Sequence, residues 1–345
     1  MNFETLIEQF GGEQFSALIG ITVGILFGVF AQQSKFCLRA ACVEFWRGKM
    51  GPKFAVWLLT FSAALIGTQF YIENGILETG NIRQLNSVGS LSGAIIGGLL
   101  FGSGMILARG CASRLLVLSA TGNMRALISG LIITIVAQAS FRGVLSPFRE
   151  DISSVWLMQA HQRGFSHLLP TYGGVLLGIA ILILGIWMAR KYRLSSWVSI
   201  TAVLTGLCIT LGWVLNSLHA ANSFDIVAIK SISFTGPSAD TLMGLINEPS
   251  LPLSFDIGLV PGVFLGSFVA SVLTRQFKWQ QFTQESKQSR YLIGACMMGF
   301  GSMLAGGCAV GAGVTGGAIL AITAWVALFF MWLGAGATDW LVDRR

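Results

Sequence analysis

Charged side chains are scarce in this chain: Lys, Arg, Asp and Glu make up 11% of 345 residues, where a soluble domain carries about 25%. That excludes an ordinary water-soluble globule. No Cys-x-x-Cys pair exists among the six cysteines, and the three histidines (161, 167 and 219) show no metal-ligand spacing with them. The common zinc and thioredoxin-type patterns are thereby removed, and no metal or other cofactor is expected. The glycine-rich run 306–317 has no Gly-Lys-Ser/Thr behind it, so it is not a phosphate loop. Acidic residues are missing from the middle of every long apolar run, which speaks against a carboxylate relay of the proton-pump kind. No basic patch lies on a polar face, so nucleic acid is not an expected partner. Residues 1–14 are acidic and lack a basic n-region, so no signal peptide is expected.

What is there is apolar. Hydrophobic residues reach 54% and mean hydropathy is +0.72. Glycine is abundant at 43 residues, as where helices must approach closely in lipid. A membrane crossing needs about 20 mostly apolar residues. Nine segments qualify: 16–33, 54–72, 91–108, 123–141, 171–189, 196–216, 256–274, 290–306 and 317–336. Three intervening stretches, 36–46, 111–121 and 308–316, are apolar yet too short to span. They contain Cys37, Cys111 and Cys308 and read as half-membrane or re-entrant pieces, tolerated at depth only where buried in protein or lining a cavity. The stretch 220–250 is expected to hold a fourth. The fold class expected is an all-α integral membrane protein, one membrane domain over 1–345, with about nine transmembrane helices and about four short ones. Its surroundings are membrane lipid.

Two cysteine-centred phrases recur 197 residues apart, Gly102-Ser-Gly-Met-Ile-Leu-Ala-Arg-Gly-Cys111-Ala and Gly299-Phe-Gly-Ser-Met-Leu-Ala-Gly-Gly-Cys308-Ala. Gly97 and Gly294 extend the match upstream. The chain therefore reads as a first half (15–142), a linker with a connecting span (143–195) and a second half (196–340). With the N-terminus outside and the C-terminus cytoplasmic, 17 of 22 basic residues face inward, as the positive-inside rule requires. Four spans plus the connecting one then start the second half on the opposite face, an inverted repeat of the kind transporters use.

Each of the three cysteines stands where an apolar run breaks. A short helix starting there would point unpaired N–H groups and a positive dipole end into the protein interior, a setting suited to an anion. A thiol, soft and polarisable, suits a sulfur-bearing anion. The alternative is that Cys111 and Cys308 are simply small enough for tight packing and Cys37 is a loop residue. Cys42, Cys208 and Cys296 read as packing residues. Gly110, Gly307, Gly306 and Gly236 are expected to shape the path. Lys35, Arg109 and Arg114 either anchor the inner membrane surface or draw an anion in.

The phrases Lys35-Phe-Cys37, Arg109-Gly-Cys111-Ala-Ser113 and Met298 through Cys308, with Phe-Thr-Gly-Pro at 234–237, resemble the YeeE/YedE sulfur-transport family over nearly the whole chain. The resemblance implies an inner-membrane importer of thiosulfate, hourglass-like about a pseudo-twofold axis. It also implies a path lined by Cys37, Cys111 and Cys308, passage by S–H···S hydrogen bonds without covalent capture, and a cytosolic TusA-like sulfur-carrier partner. One departure stands out. The family's Gly-Gly-Cys, with a further glycine three residues on, survives around Cys308 as Gly306 and Gly311, while Arg109 and Arg114 replace both glycines around Cys111. Another sulfur or selenium compound therefore remains a candidate substrate, and a membrane thiol–disulfide enzyme the rival class.

Overall fold

The computed structural model describes residues 11–160, 163–165, 170–223, 227–247, 249, 252–280 and 288–344. The apolar runs become α1 (Gly12–Ser34), α2 (Leu38–Trp46), α3 (Pro52–Glu73), α4 (Leu91–Leu107), α5 (Ala112–Ala120) and α6 (Met124–Arg142). After α7 (Ser146–Ser154) come α8 (Gly173–Lys191), α9 (Ser196–Asn222), α10 (Thr235–Asn247), α11 (Phe255–Leu273), α12 (Gln288–Leu304) and α13 (Ile322–Thr338). A short helical piece, Ala309–Thr315 with Gly316–Ala318, separates the last two. The only named strands among the described residues are Gly89–Ser90 and Leu157–Met158, paired antiparallel.

Among the described residues, eight helices are long and apolar enough to cross a membrane, or nine if the bent pair Gln288–Leu304 and Ala309–Ala318 counts as one. This is an all-α multi-pass membrane protein. Large apolar side chains face outward on α8, where Leu176 and Ile183 are 61% and 63% exposed, as on a helix whose solvent is lipid. The nine expected segments coincide with α1, α3, α4, α6, α8, α9, α11, α12 and α13 to within a few residues. The largest shift of a helix start is at 317–336: α13 begins only at Ile322, because Gly316–Ala318 complete the short piece and Leu320 turns the chain with a left-handed φ of 54°.

Small residues decide which helices touch. Gly20, Gly24 and Gly28 of α1 face Gly258, Gly262 and Gly266 of α11. A Cβ on Gly24 would lie 2.6 Å from the Leu259 carbonyl oxygen, and one on Gly262 2.6 Å from that of Ile21. Backbone meets backbone here, the geometry that small residues at every fourth position permit in lipid. The central pair α4 and α12 is built likewise. A Cβ on Gly97 would lie 2.6 Å from the Gly301 oxygen, and one on Gly294 2.7 Å from that of Gly104. This contact maps onto itself when 97 is exchanged with 294 and 104 with 301, pairs that are each 197 apart. The bounds of α4 and α12 are also 197 apart at both ends.

Candidate functional site

Cys37, Cys111 and Cys308 occupy one structural position, the residue before the first turn of a short helix. Cys37 precedes α2 with φ −165° and ψ 116°. Cys111 precedes α5 with φ −83° and ψ 166°. Cys308 precedes Ala309–Thr315 with φ −78° and ψ −176°. The extended backbone at such a site lets the side chain lie across the unpaired N–H groups of the first turn. At Cys308 the sulfur accepts from Gly311 N–H at 3.4 Å. Cys37 and Cys111 turn their sulfurs toward the amides of Ala40 and Arg114, three residues on, without closing a side-chain cap. Ala309–Thr315 is wound wider than an α-helix, with both Ala312 and Gly313 amides directed at the Cys308 carbonyl, a distortion common at functional sites.

The breaks differ in direction. Gly12–Trp46 and Leu91–Ala120 each run as one apolar element with a bend of no more than 40°, so α2 and α5 carry on from the helices before them without reversing. At Cys308 the axis turns by 41°.

Folding brings two of the thiols together. Cys37 and Cys111, 74 residues apart in sequence, face each other side by side. Cys111 is buried, with Ser113 Oγ 3.4 Å from its sulfur. Arg114 lies near enough to both thiols for its charge to act on them, and its Nη1 is enclosed without a hydrogen-bond partner. The Arg39 charge also lies within range of Cys37. In the sequence Arg39 is only one of the inward-facing basic residues, because nothing in the linear text puts the second residue of a short helix back beside its cap. Arg39 is shared with Asp343, 3.8 Å away, and Asp343 also binds Arg290 at 2.7 Å. A positive cluster therefore stands at the Cys37–Cys111 pair, partly balanced by the C-terminal segment.

Lys35 and Arg109 are exposed, and both adopt left-handed backbone, φ 55° each. Cys308 is buried in the counterpart turn and has no hydrogen bond to either of the other thiols among the described residues. Its short helix touches α5. Of the expected shaping glycines, Gly306 has φ 79°, and a Cβ on Gly307 would lie 2.7 Å from Ala312 N. Gly110 sits against Leu115, while Gly236 has open space around it. Gly311 is the tighter case in that region, because a side chain there would run into Ser233 Oγ. Cys42 and Cys208 are buried in the helix packing and Cys296 is exposed. A cavity of about 410 Å³, counted to its open mouth, lies between α5, α6 and the start of α10. It is lined by Ala112, Ser119, Thr134, Phe234 and Thr235 and contains none of the cysteines. No group of His, Cys, Asp and Glu among the described residues is arranged to hold a metal ion.

Comparison with known proteins points the same way as this geometry. A family model described as "Sulphur transport" matches residues 33–337. A protein named thiosulfate transporter TsuA from Escherichia coli (strain K12) is 26% identical over 366 aligned positions, covering 95% of each chain. A protein of the same name from Spirochaeta thermophila is 27% identical over 341 positions, covering 94% of this chain and 99% of that one.

Proposed function

The chain belongs to the sulphur-transport family, and from that premise we propose that it imports a small sulfur-containing anion, thiosulfate, along a path that includes Cys37, Cys111 and Cys308. The observation that carries this reading is the pairing of Cys37 with Cys111 within range of the half-buried Arg114 charge. A dianion entering a low-dielectric interior loses its hydration and needs fixed positive charge and N–H groups to replace it. Arg114 and Arg39 supply the charge, and the first turns of α2, α5 and Ala309–Thr315 supply the amides. The terminal sulfur of thiosulfate is a soft acceptor, so an S–H group can hold it by a weak hydrogen bond and release it to the next without bond making. Lys35 and Arg109, exposed beside this cluster, raise the local anion concentration.

The self-mapping contact between α4 and α12 supports an inverted repeat of 15–142 and 196–340 around the linker 143–195. Gly110, Gly306, Gly307 and Gly236 then bound the path. In this reading the protein sits in the inner membrane with its N-terminus outside, and a TusA-like sulfur carrier takes the product on the cytoplasmic side. The transport relatives favour a carrier over an enzyme.

The test is growth on thiosulfate as sole sulfur source, in a host without other sulfate and thiosulfate importers, with and without a TusA-like partner. Growth with this chain that disappears in Cys111→Ala is the expected outcome. Growth undiminished in Cys111→Ala, with the variant present in the membrane, sinks the thiol path. If only a selenium or another sulfur compound is taken up, the substrate assignment changes and the path stands.

The juxtaposed thiols favour one rival, a thiol–disulfide enzyme, over any other class. Mass mapping of thiols after non-reducing purification separates the two: a persistent Cys37–Cys111 disulfide supports the enzyme, and free thiols support the carrier.

A further inference from the structure

Arg163 lies in the segment joining α7 to α8 and is only 8% exposed. Its backbone is pinned where the chain leaves the Cys308 turn: Ile322 N–H donates to the Arg163 carbonyl at 2.8 Å, and Phe165 N–H to that of Leu320 at 2.9 Å. Its Nη1 donates to the Ser87 carbonyl at 2.7 Å and to Ser87 Oγ at 3.0 Å. Its Nη2 donates to Thr323 Oγ1 at 3.0 Å. A guanidinium carries five N–H donors, so Nε–H and the second Nη2–H remain, and Nε is enclosed without a partner. No carboxylate among the described residues pairs with it. Burial alone acts on its ionisation and pushes its pKa down, as for a cation that lacks a counter-ion. Such a group is costly in a protein interior unless an anion accompanies it.

The same side chain lines a cavity of about 260 Å³, counted to its open mouth. The floor is the Cys308 turn itself, with Gly306, Ala312 and Gly316; Thr323 and Gln84 stand beside Arg163. Gln84 Oε1 is enclosed without a partner, and its amide can present N–H donors by turning over. The Thr323 hydroxyl, accepting from Arg163, keeps its own proton to donate. The lining thus brings a guanidinium, a hydroxyl and an amide together above small residues, with Arg163 Nε lying against Gly89.

We propose that Arg163, Thr323 and Gln84 form a recognition site for the oxyanion end of a small sulfur-containing dianion, at the mouth on the Cys308 side. This deepens the transport reading and rests on it for the identity of the anion. Hard oxygens meet the guanidinium fork, which suits planar two-point contact with an oxyanion. The terminal sulfur is left to point toward the Cys308 turn. Selection by two chemistries at two ends distinguishes thiosulfate from sulfide, which has no oxyanion end, and from sulfate, which has no soft sulfur.

The test uses the full chain purified in detergent, with thermal unfolding followed in sodium thiosulfate, sodium sulfate or sodium chloride at matched ionic strength. Thiosulfate and sulfate are expected to raise the melting temperature where chloride does not. In Arg163→Gln the concentration giving half of that rise should increase at least roughly tenfold, the loss of a hydrogen bond to a charged group. Arg163→Lys keeps the charge without the fork and should fall between. Ser87→Ala removes only an anchor of the guanidinium and should keep the response. If Arg163→Gln does not fold, Arg163→Lys and Thr323→Val decide, each expected to weaken the response several-fold. Variants that respond to thiosulfate as the unmodified chain does overturn the site, and so does an unmodified chain that responds to neither anion. Anion binding that needs Arg163, in a chain that supports no uptake, leaves the site standing and sinks the transport reading instead.

Discussion

At the scale of single residues, Arg109 is the most instructive departure. It holds φ 55°, while Gly306, its counterpart 197 residues on, holds φ 79°. Left-handed backbone costs a residue with a Cβ about 1–2 kcal/mol, and glycine little. The chain thus keeps an arginine where its own second half keeps the conformationally cheaper residue, as expected if the charge is useful there. Arg109→Gly should leave thermal stability unchanged or higher by up to about 1 kcal/mol, because relief of strain is partly offset by the freer unfolded chain. The same variant should raise the half-saturating thiosulfate concentration in uptake several-fold at low salt, with the difference shrinking as salt screens the charge. A clear loss of stability in Arg109→Gly would contradict this account. Arg39 teaches the complementary lesson: its type and place were visible in the text, but its approach to Cys37 was not, since that depends on how α2 leaves its cap.

Elements are held together here mainly by glycine. The fourfold spacing in α1 and α11 was on the page in the sequence, but abundance alone does not say which rows meet; only the packed structure pairs Gly20, Gly24 and Gly28 with Gly258, Gly262 and Gly266. Because the neighbours are backbone atoms, they cannot rotate away. Gly24→Leu should cost about 1–3 kcal/mol or more through forced separation of the helices. Gly130→Ala serves as the control: it is also helical, a Cβ there meets nothing within 4 Å, and it should be neutral or stabilising by about 0.5–1 kcal/mol. Thermal unfolding in detergent compares them, and equal melting temperatures would remove the glycine rows from the account. The short helices were legible for a different reason. A cysteine closing an apolar run marks an interruption, and all three interruptions proved to be helix starts. The bend at each was not legible, because hydropathy carries no axis direction.

Across the whole molecule, ion pairs gather where the charge count expected the cytoplasm. Asp343 joins Arg39 of α2 to Arg290 of α12, and Asp339 holds Arg47 at 2.7 Å and Arg344 at 3.4 Å. The end of α13 is thereby tied over the Cys37–Cys111 cluster by residues from distant parts of the chain. If the orientation is N-out and C-in, a fluorescent protein fused to the C-terminus should fluoresce and an alkaline phosphatase fused there should be inactive. The opposite pair of results would invert the topology and turn the Arg163 mouth toward the cytoplasm.

Composition and periodicity by themselves determined that this chain is an all-α membrane protein, where its long helices lie, and that three cysteines mark breaks in them. These features follow from local physics: apolar length set against bilayer thickness, and polar or glycine residues that interrupt a run. Tertiary structure alone decided which cysteines meet, which arginines stand near them and that Arg163 is buried without a counter-ion among the described residues. Those outcomes depend on helix axes and on backbone-to-backbone approach between residues far apart in sequence. Arg163 shows the difference most plainly: it reads as one more basic residue in a linker until folding carries it over the Cys308 turn.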